Sequence, residues 1–240
     1  MGMPSLTSEA TARLQAVRAR IIAAAERAGR DPHSITLLAV SKGQSAASVA
    51  ALAALGQRDF GENYLQEALG KIAASQALPE PLSWHFIGQL QSNKTRPVAE
   101  NFAWVHTVDR WKIAERLAEQ RPFHAPPLQV CIQVKLGNEP GKAGVIPAEL
   151  PALLRAVALL PRLQLRGLMA IPPAEDQQSA QRAWFAELRE LFTRAQSELP
   201  NLDTLSMGMS TDLEAAIFEG STLVRIGTAL FGERIQSKHE

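Results

Sequence analysis

Cysteine is almost absent: Cys131 is the only one in 240 residues. A single thiol excludes an intramolecular disulfide and fits a reducing compartment, so the chain reads as cytoplasmic, with Cys131 a small buried hydrophobe on a strand over 128–134. Net charge is nearly absent too, with 25 Lys and Arg against 24 Asp and Glu, a formal +1. That balance offers no basic surface for nucleic acid and no polybasic patch for a membrane. No apolar run approaches the roughly 20 residues of a membrane-spanning helix. The N-terminal stretch lacks the apolar core of a signal peptide. The histidines, His33, His85, His106, His124 and His239, show no paired spacing that suggests a metal site. No heptad or exposed apolar stripe demands a partner, so the expected state is a monomer.

What is present is ordinary globular composition, 46% hydrophobic and 20% charged, in a regular alternation. Leu14, Val17, Ile21, Ala24, Ala25 and Ala28 recur at helical spacing and Gly29 follows, which predicts a helix over about 8–28. Short strands are predicted at 35–42, 58–62, 84–87, 104–107, 128–134, 163–171, 202–206 and 223–226. Helices fill the intervals, the clearest at 110–119, 147–160, 177–198 and 211–219, with Ser45 or Ser48 capping the one after the first strand. In the 177–198 helix, Ala183, Leu188, Leu191 and Ala195 are the expected inner face. Eight βα units, with no long linker and no composition break, predict a single (β/α)8 TIM-type barrel over 1–240 with an extra N-terminal helix. A doubly wound open sheet is the alternative, since alternation alone does not say whether a sheet closes. Both folds put the ligand at the carboxyl ends of the strands, where Lys42, Glu62, Asn63, Gln89, Met169, Ser206 and Arg225 stand.

The first strand, Ile35-Thr-Leu-Leu-Ala-Val-Ser-Lys42, carries Thr36, Leu38, Val40 and Lys42 on one face. Lys42 is either a strand-end lysine reaching solvent or an amine at the barrel mouth, partly desolvated and able to attack a carbonyl. Two later segments resemble an anion cradle: Ser206-Met-Gly-Met-Ser-Thr-Asp212 and Val224-Arg-Ile-Gly-Thr228. Each runs from a strand end through a glycine to a helix start, and Ser210 and Thr228 add hydroxyls. The bland reading makes these ordinary caps and turns. Taken with Lys42, and placed after strands 7 and 8 where barrels often bind phosphate, they point to a phosphate-bearing aldehyde.

Further stretches complete a pattern. Ala39-Val-Ser-Lys42, Phe60-Gly-Glu-Asn-Tyr-Leu-Gln-Glu67, Trp84-His-Phe-Ile-Gly-Gln-Leu-Gln-Ser-Asn-Lys94, Leu165-Arg-Gly-Leu-Met-Ala-Ile-Pro172, Leu205-Ser-Met-Gly-Met-Ser-Thr-Asp212 and Gly220-Ser-Thr-Leu-Val-Arg-Ile-Gly-Thr-Ala-Leu-Phe-Gly232 occur in order across almost the whole chain. In these the sequence resembles the pyridoxal-phosphate homeostasis proteins (YggS/PROSC), whose fold is similar to the N-terminal barrel of alanine racemase. The resemblance implies an internal aldimine between Lys42 and pyridoxal 5'-phosphate. It also implies Ser210, Gly227 and Thr228 on the phosphate, Arg225 facing the pyridine nitrogen and Asn63 lining the pocket. The sequence departs from the family in two loops, Gly43-Gln44-Ser45 and 135–144.

Three readings follow. The resemblance implies a cofactor-binding protein of pyridoxal-phosphate homeostasis, without strong catalysis, that buffers the cofactor or delivers it to apoenzymes. A racemase-type enzyme would need Tyr64 or His85 aimed at Lys42 across the ring. A Schiff-base aldolase on a sugar phosphate would need a carboxylate near Lys42, with Glu62 the candidate and Asp59 lower on its strand. His85 otherwise reads as a hydrogen-bonded core histidine.

Overall fold

Short apolar runs, too brief for helices and bounded by turn residues, become the strands of one closed barrel. The structure is a computed structural model that describes residues 6–232 apart from positions 138 and 140. His239 and those two positions of the 137–144 loop lie outside the described residues. The strands are β1 Thr36–Val40, β2 Asp59–Glu62, β3 Ser83–Phe86, β4 Trp104–Val108, β5 Leu128–Gln133, β6 Leu163–Met169, β7 Thr204–Ser206 and β8 Leu223–Ile226. All pairs are parallel and run in chain order, and β8 closes on β1 with Leu38 opposite Arg225. The expected (β/α)8 barrel is therefore present, and the open-sheet alternative is excluded by the β1–β8 pairing.

Among the described residues the helices are α1 Leu6–Arg27, α2 Ala46–Ala54, α3 Leu65–Ser75, α4 Thr95–Asn101, α5 Trp111–Gln120, α6 Leu150–Ala158, α7 Gln178–Glu198, α8 Leu213–Phe218 and α9 Thr228–Phe231. Ser45 is the cap of α2, accepting the Ser48 N–H at 3.1 Å. α6 is shorter than the 147–160 expectation because Pro151 sits in its first turn, where its missing N–H and fixed φ suit a helix start. The inner face of α7 is Phe185, Leu188, Phe192 and Ala195. Ala183 is exposed and Leu191 only half-buried, so two of the expected inner residues are corrected. The two phenylalanines set the stripe because they bury far more area than an alanine. Cys131 is fully buried, and burial pushes its thiol up to about 12. No described helix is long and apolar enough to cross a membrane.

Helix α1 precedes the first βα unit and packs on α2, α8 and α9. Leu14, Val17, Ile21, Ala24 and Ala25 form its buried stripe, as their spacing predicts. Its polar side braces the loops after β7 and β8. Arg20 pairs with Glu214 at 2.8 Å and donates to the Ser210 carbonyl at 3.0 Å, while Arg13 donates to the Phe231 carbonyl at 3.0 Å.

The barrel interior is partly polar, where layers of branched aliphatics are common. A continuous run of hydrogen bonds crosses it, from Asp59 at the start of β2 to Arg225 on β8. Asp59 Oδ1 is 3.1 Å from His85 Nε2, and His85 Nδ1 is 2.9 Å from His106 Nε2. His106 Nδ1 is 2.9 Å from Ser206 Oγ, and Ser206 Oγ is 3.0 Å from Arg225 Nη1. Sequence spacing leaves the two histidines 21 residues apart. They meet because β3 and β4 are neighbours and both side chains point inward.

The end groups fix the direction of this run. A carboxylate only accepts and a guanidinium only donates. His85 Nε2 therefore carries the proton that faces Asp59. Burial holds both histidines below the ordinary imidazole range, His106 well below it, with the Asp59 carboxylate working the other way on His85. Both rings are neutral, so His85 Nδ1 accepts from His106 Nε2–H, and His106 Nδ1 accepts from the Ser206 hydroxyl.

An acid titration tests this. Above about pH 6.5 the histidines are neutral in both the folded and unfolded chain and contribute no pH dependence. Below it the unfolded chain takes up protons that the folded barrel refuses. Stability then falls with pH, at about 1.4 kcal/mol per pH unit for each such proton. Nitrogen NMR at pH 7.5 should show His85 and His106 as neutral Nε2–H tautomers; Nδ1–H tautomers would contradict the assigned direction.

Candidate functional site

At the carboxyl ends of the strands lies a cavity of about 290 Å³, the size of a small-molecule site. All six residues singled out from the sequence line it: Lys42, Asn63, Ser210, Arg225, Gly227 and Thr228. Met169, a strand-end residue singled out in the sequence, is an apolar wall of the cavity, and Met209, Ile87 and Ile171 add walls that sequence reasoning did not assign to the site. The available signal for Ile87 was position, since it directly follows β3.

Lys42 sits just beyond β1, in a turn closed by the Gln44 N–H on the Ser41 carbonyl at 3.0 Å. Gly43 follows it at φ +71°, a conformation that glycine adopts without strain. Asn63 follows β2, and its Oδ1 is buried with no hydrogen-bond partner among the described residues. A buried acceptor left unmatched costs free energy, so this oxygen suits a ligand hydroxyl or N–H at the cavity wall.

Arg225 is 5% exposed. Its Nη1 donates to the Ser206 carbonyl at 2.8 Å and its Nη2 to the Ala170 carbonyl at 3.0 Å. Burial lowers its pKa to about 10, which still leaves a cation at neutral pH. The loop after β7 turns at Gly208, φ +97°, where a Cβ would lie 2.5 Å from the Ala216 methyl. Asp212 shapes the same loop by accepting the Met209 N–H at 2.5 Å. Gly227, after β8, lets the chain pass close to Val40, whose carbonyl oxygen would be 3.4 Å from an added Cβ.

Other candidates fall away from the cavity. Glu62 is completely buried but turns to the outer side of β2, against Lys71 on α3. Tyr64 is 62% exposed and does not line the cavity. His85 is the core histidine of the interior run. Gln89 is exposed and lines no part of the cavity. Among the described residues no carboxylate lines the cavity, and no cluster of His, Cys, Asp and Glu could hold a metal ion.

The fold and site define a (β/α)8 barrel whose C-terminal mouth holds a cavity lined by a buried arginine cation and by one lysine at the end of a strand. Residues 12–235 match the family described as the alanine racemase N-terminal domain. The chain is 62% identical over 218 residues to the pyridoxal phosphate homeostasis protein of Pseudomonas aeruginosa, covering 91% of this chain and 93% of that one. It is 54% identical over 226 residues to the protein of the same name in Escherichia coli, covering 94% and 97%. Among solved structures, PipY of Synechococcus elongatus with PLP bound is 40% identical, with a TM-score of 0.81, covering 95% of this chain and 100% of that one. Alanine racemase of Corynebacterium glutamicum shares the fold, at 17% identity and a TM-score of 0.65 over 95% of this chain and 63% of that one. The chain belongs to the pyridoxal phosphate homeostasis protein family.

Proposed function

We propose that this chain binds pyridoxal 5'-phosphate in the mouth cavity, holds it as a Schiff base on Lys42, and acts in homeostasis of the cofactor by buffering or delivering it. The observation that carries the reading is convergence. A strand-end lysine, a buried arginine and two glycine-turned loops with hydroxyls meet in one cavity of cofactor size. The relatives' names and the PLP-bound neighbour support the cofactor. Ser210, Gly227 and Thr228 hold the phosphate, Arg225 stands toward the pyridine nitrogen, and Asn63 offers its unmatched oxygen to the ligand's polar edge. Lys42 Nζ would be the amine that holds the aldehyde carbon through a C=N bond, with the carbonyl oxygen released as water.

Bound there, the cofactor supplies a conjugated ring that can act as an electron sink. The chain's own residues restrict that chemistry. Arg225 disfavours a proton on the ring nitrogen, which weakens the sink. A racemase needs a second acid-base group opposite the lysine. Tyr64 faces solvent, and the imidazole lone pairs of His85 and His106 are each occupied by a donor inside the barrel. The aldolase reading lacks its carboxylate at the cavity wall. A carrier without strong catalysis, handing the cofactor to apoenzymes that depend on it, fits these residues best, and a monomer suffices for it.

The test is a visible absorption spectrum with pyridoxal 5'-phosphate added, followed by borohydride reduction and peptide mapping. A yellow band and a reduced adduct on Lys42 are expected. A protein that stays colourless would overturn the proposal.

A further inference from the structure

Beside the cavity, on the outer side of the barrel wall, lies a buried ion cluster that the cofactor reading does not use. Lys71 of α3 is 6% exposed and donates three short hydrogen bonds: to the Ser41 carbonyl at 2.5 Å, Glu62 Oε1 at 2.7 Å and Glu67 Oε1 at 2.5 Å. Glu62 Oε1 also accepts the Ser41 hydroxyl at 2.5 Å, and its Oε2 is buried without a partner among the described residues. Glu67 Oε1 accepts the Gly43 N–H at 2.6 Å. Ser41 and Gly43 are the residues on either side of Lys42.

We infer that Lys71, with Glu62 and Glu67, is a positioning clamp that fixes both peptide units flanking Lys42 and so aims its amine into the cavity. The inference rests on Lys42 being the cofactor-holding amine. Its physical basis is the cost of this arrangement. A buried lysine and a buried glutamate must each be desolvated, and one glutamate oxygen is left unmatched. Apolar residues would fill the space between α3 and the barrel at less cost. The ions do what apolar residues could not: they hold one carbonyl and one N–H at fixed points two residues apart. Holding the turn in advance removes the entropy of ordering it when the C=N bond forms.

The test uses the apoprotein mixed with pyridoxal 5'-phosphate, read by the rate at which the Lys42 adduct forms. It also reads the affinity for pyridoxine 5'-phosphate, which has an alcohol in place of the aldehyde. Lys71→Met is expected to slow adduct formation at least tenfold while leaving pyridoxine 5'-phosphate affinity within twofold. Glu67→Ala keeps the Lys71–Glu62 pair and the Lys71 bond to the Ser41 carbonyl, but removes the Gly43 anchor and one of the three acceptors of Lys71. It is expected to slow adduct formation about threefold and to speed hydrogen exchange at the Gly43 amide in the apoprotein. Wild-type rates in both variants would overturn the clamp, and should Lys71→Met fail to fold, Glu67→Ala decides alone. A wild-type adduct on a different lysine would instead defeat the reading of Lys42 itself.

Discussion

Lys42→Ala is expected to lose all borohydride-trapped cofactor and still bind pyridoxal 5'-phosphate, about 100-fold more weakly, or about 3 kcal/mol. The covalent bond has no substitute in this variant. Lys71, close in space, is buried in its ion cluster and faces away from the cavity. The residual affinity comes from the other end of the site, where the Arg225 cation and the loops carrying Ser210, Gly227 and Thr228 keep their geometry. Hydrogen bonds to a charged group contribute roughly 1.5–3 kcal/mol each, so a phosphate held by a few of them remains bound without the lysine. Equilibrium dialysis of the variant checks this. Complete loss of binding would mean that the loops after β7 and β8 contribute little, and a trapped adduct on another residue would mean that the amine is misassigned.

Gly88→Ala is expected to have the largest effect on stability near the site. A Cβ at this position would lie 2.0 Å from the Asn63 backbone oxygen and 2.7 Å from its carbonyl carbon. Backbone cannot swing aside as a side chain can, so the new methyl must push β2 and β3 apart at the cavity rim. Overpacking of this kind costs about 3 kcal/mol. The Gly88 carbonyl also accepts the Thr107 hydroxyl at 2.7 Å, which ties the strained segment to β4. Urea unfolding should show the loss, and cofactor affinity should fall with it because Asn63 moves. An alanine variant of wild-type stability and affinity would show that the rim yields more easily than its contacts indicate.

The barrel was legible because its signals are local. Each strand is an apolar run cut by turn residues, each helix has a periodic stripe, and eight alternations leave few architectures. The mouth was legible because carboxyl ends of strands are assigned by chain direction alone, so Lys42, Asn63 and Arg225 converge in any closed barrel. The interior run of hydrogen bonds was not legible. His85 and His106 share a face only once the register of β3 and β4 is known, and their tautomers follow from Asp59 and Arg225, which stand at the far ends of the run. The Lys71 cluster was hidden for a different reason. Glu67 and Lys71 four residues apart look like an ordinary exposed helix pair, and only burial of Lys71 against Ser41 and Glu62 changes their meaning. The stripe of α7 was misjudged because several registers of small and large apolar residues satisfy the same period.

Helix α1 braces one side of the cavity and α3 the other. Arg20 and Arg13 tie α1 to the segments after β7 and β8, while Lys71 and Glu67 tie α3 to the lysine turn. The two ends of a single pocket are therefore braced by different helices, and they are expected to open separately, each with its own helix. Amide exchange would report them as two events rather than one. A fluctuation that undocks α1 would loosen the segments after β7 and β8 and leave the lysine turn gripped, and undocking α3 would do the reverse.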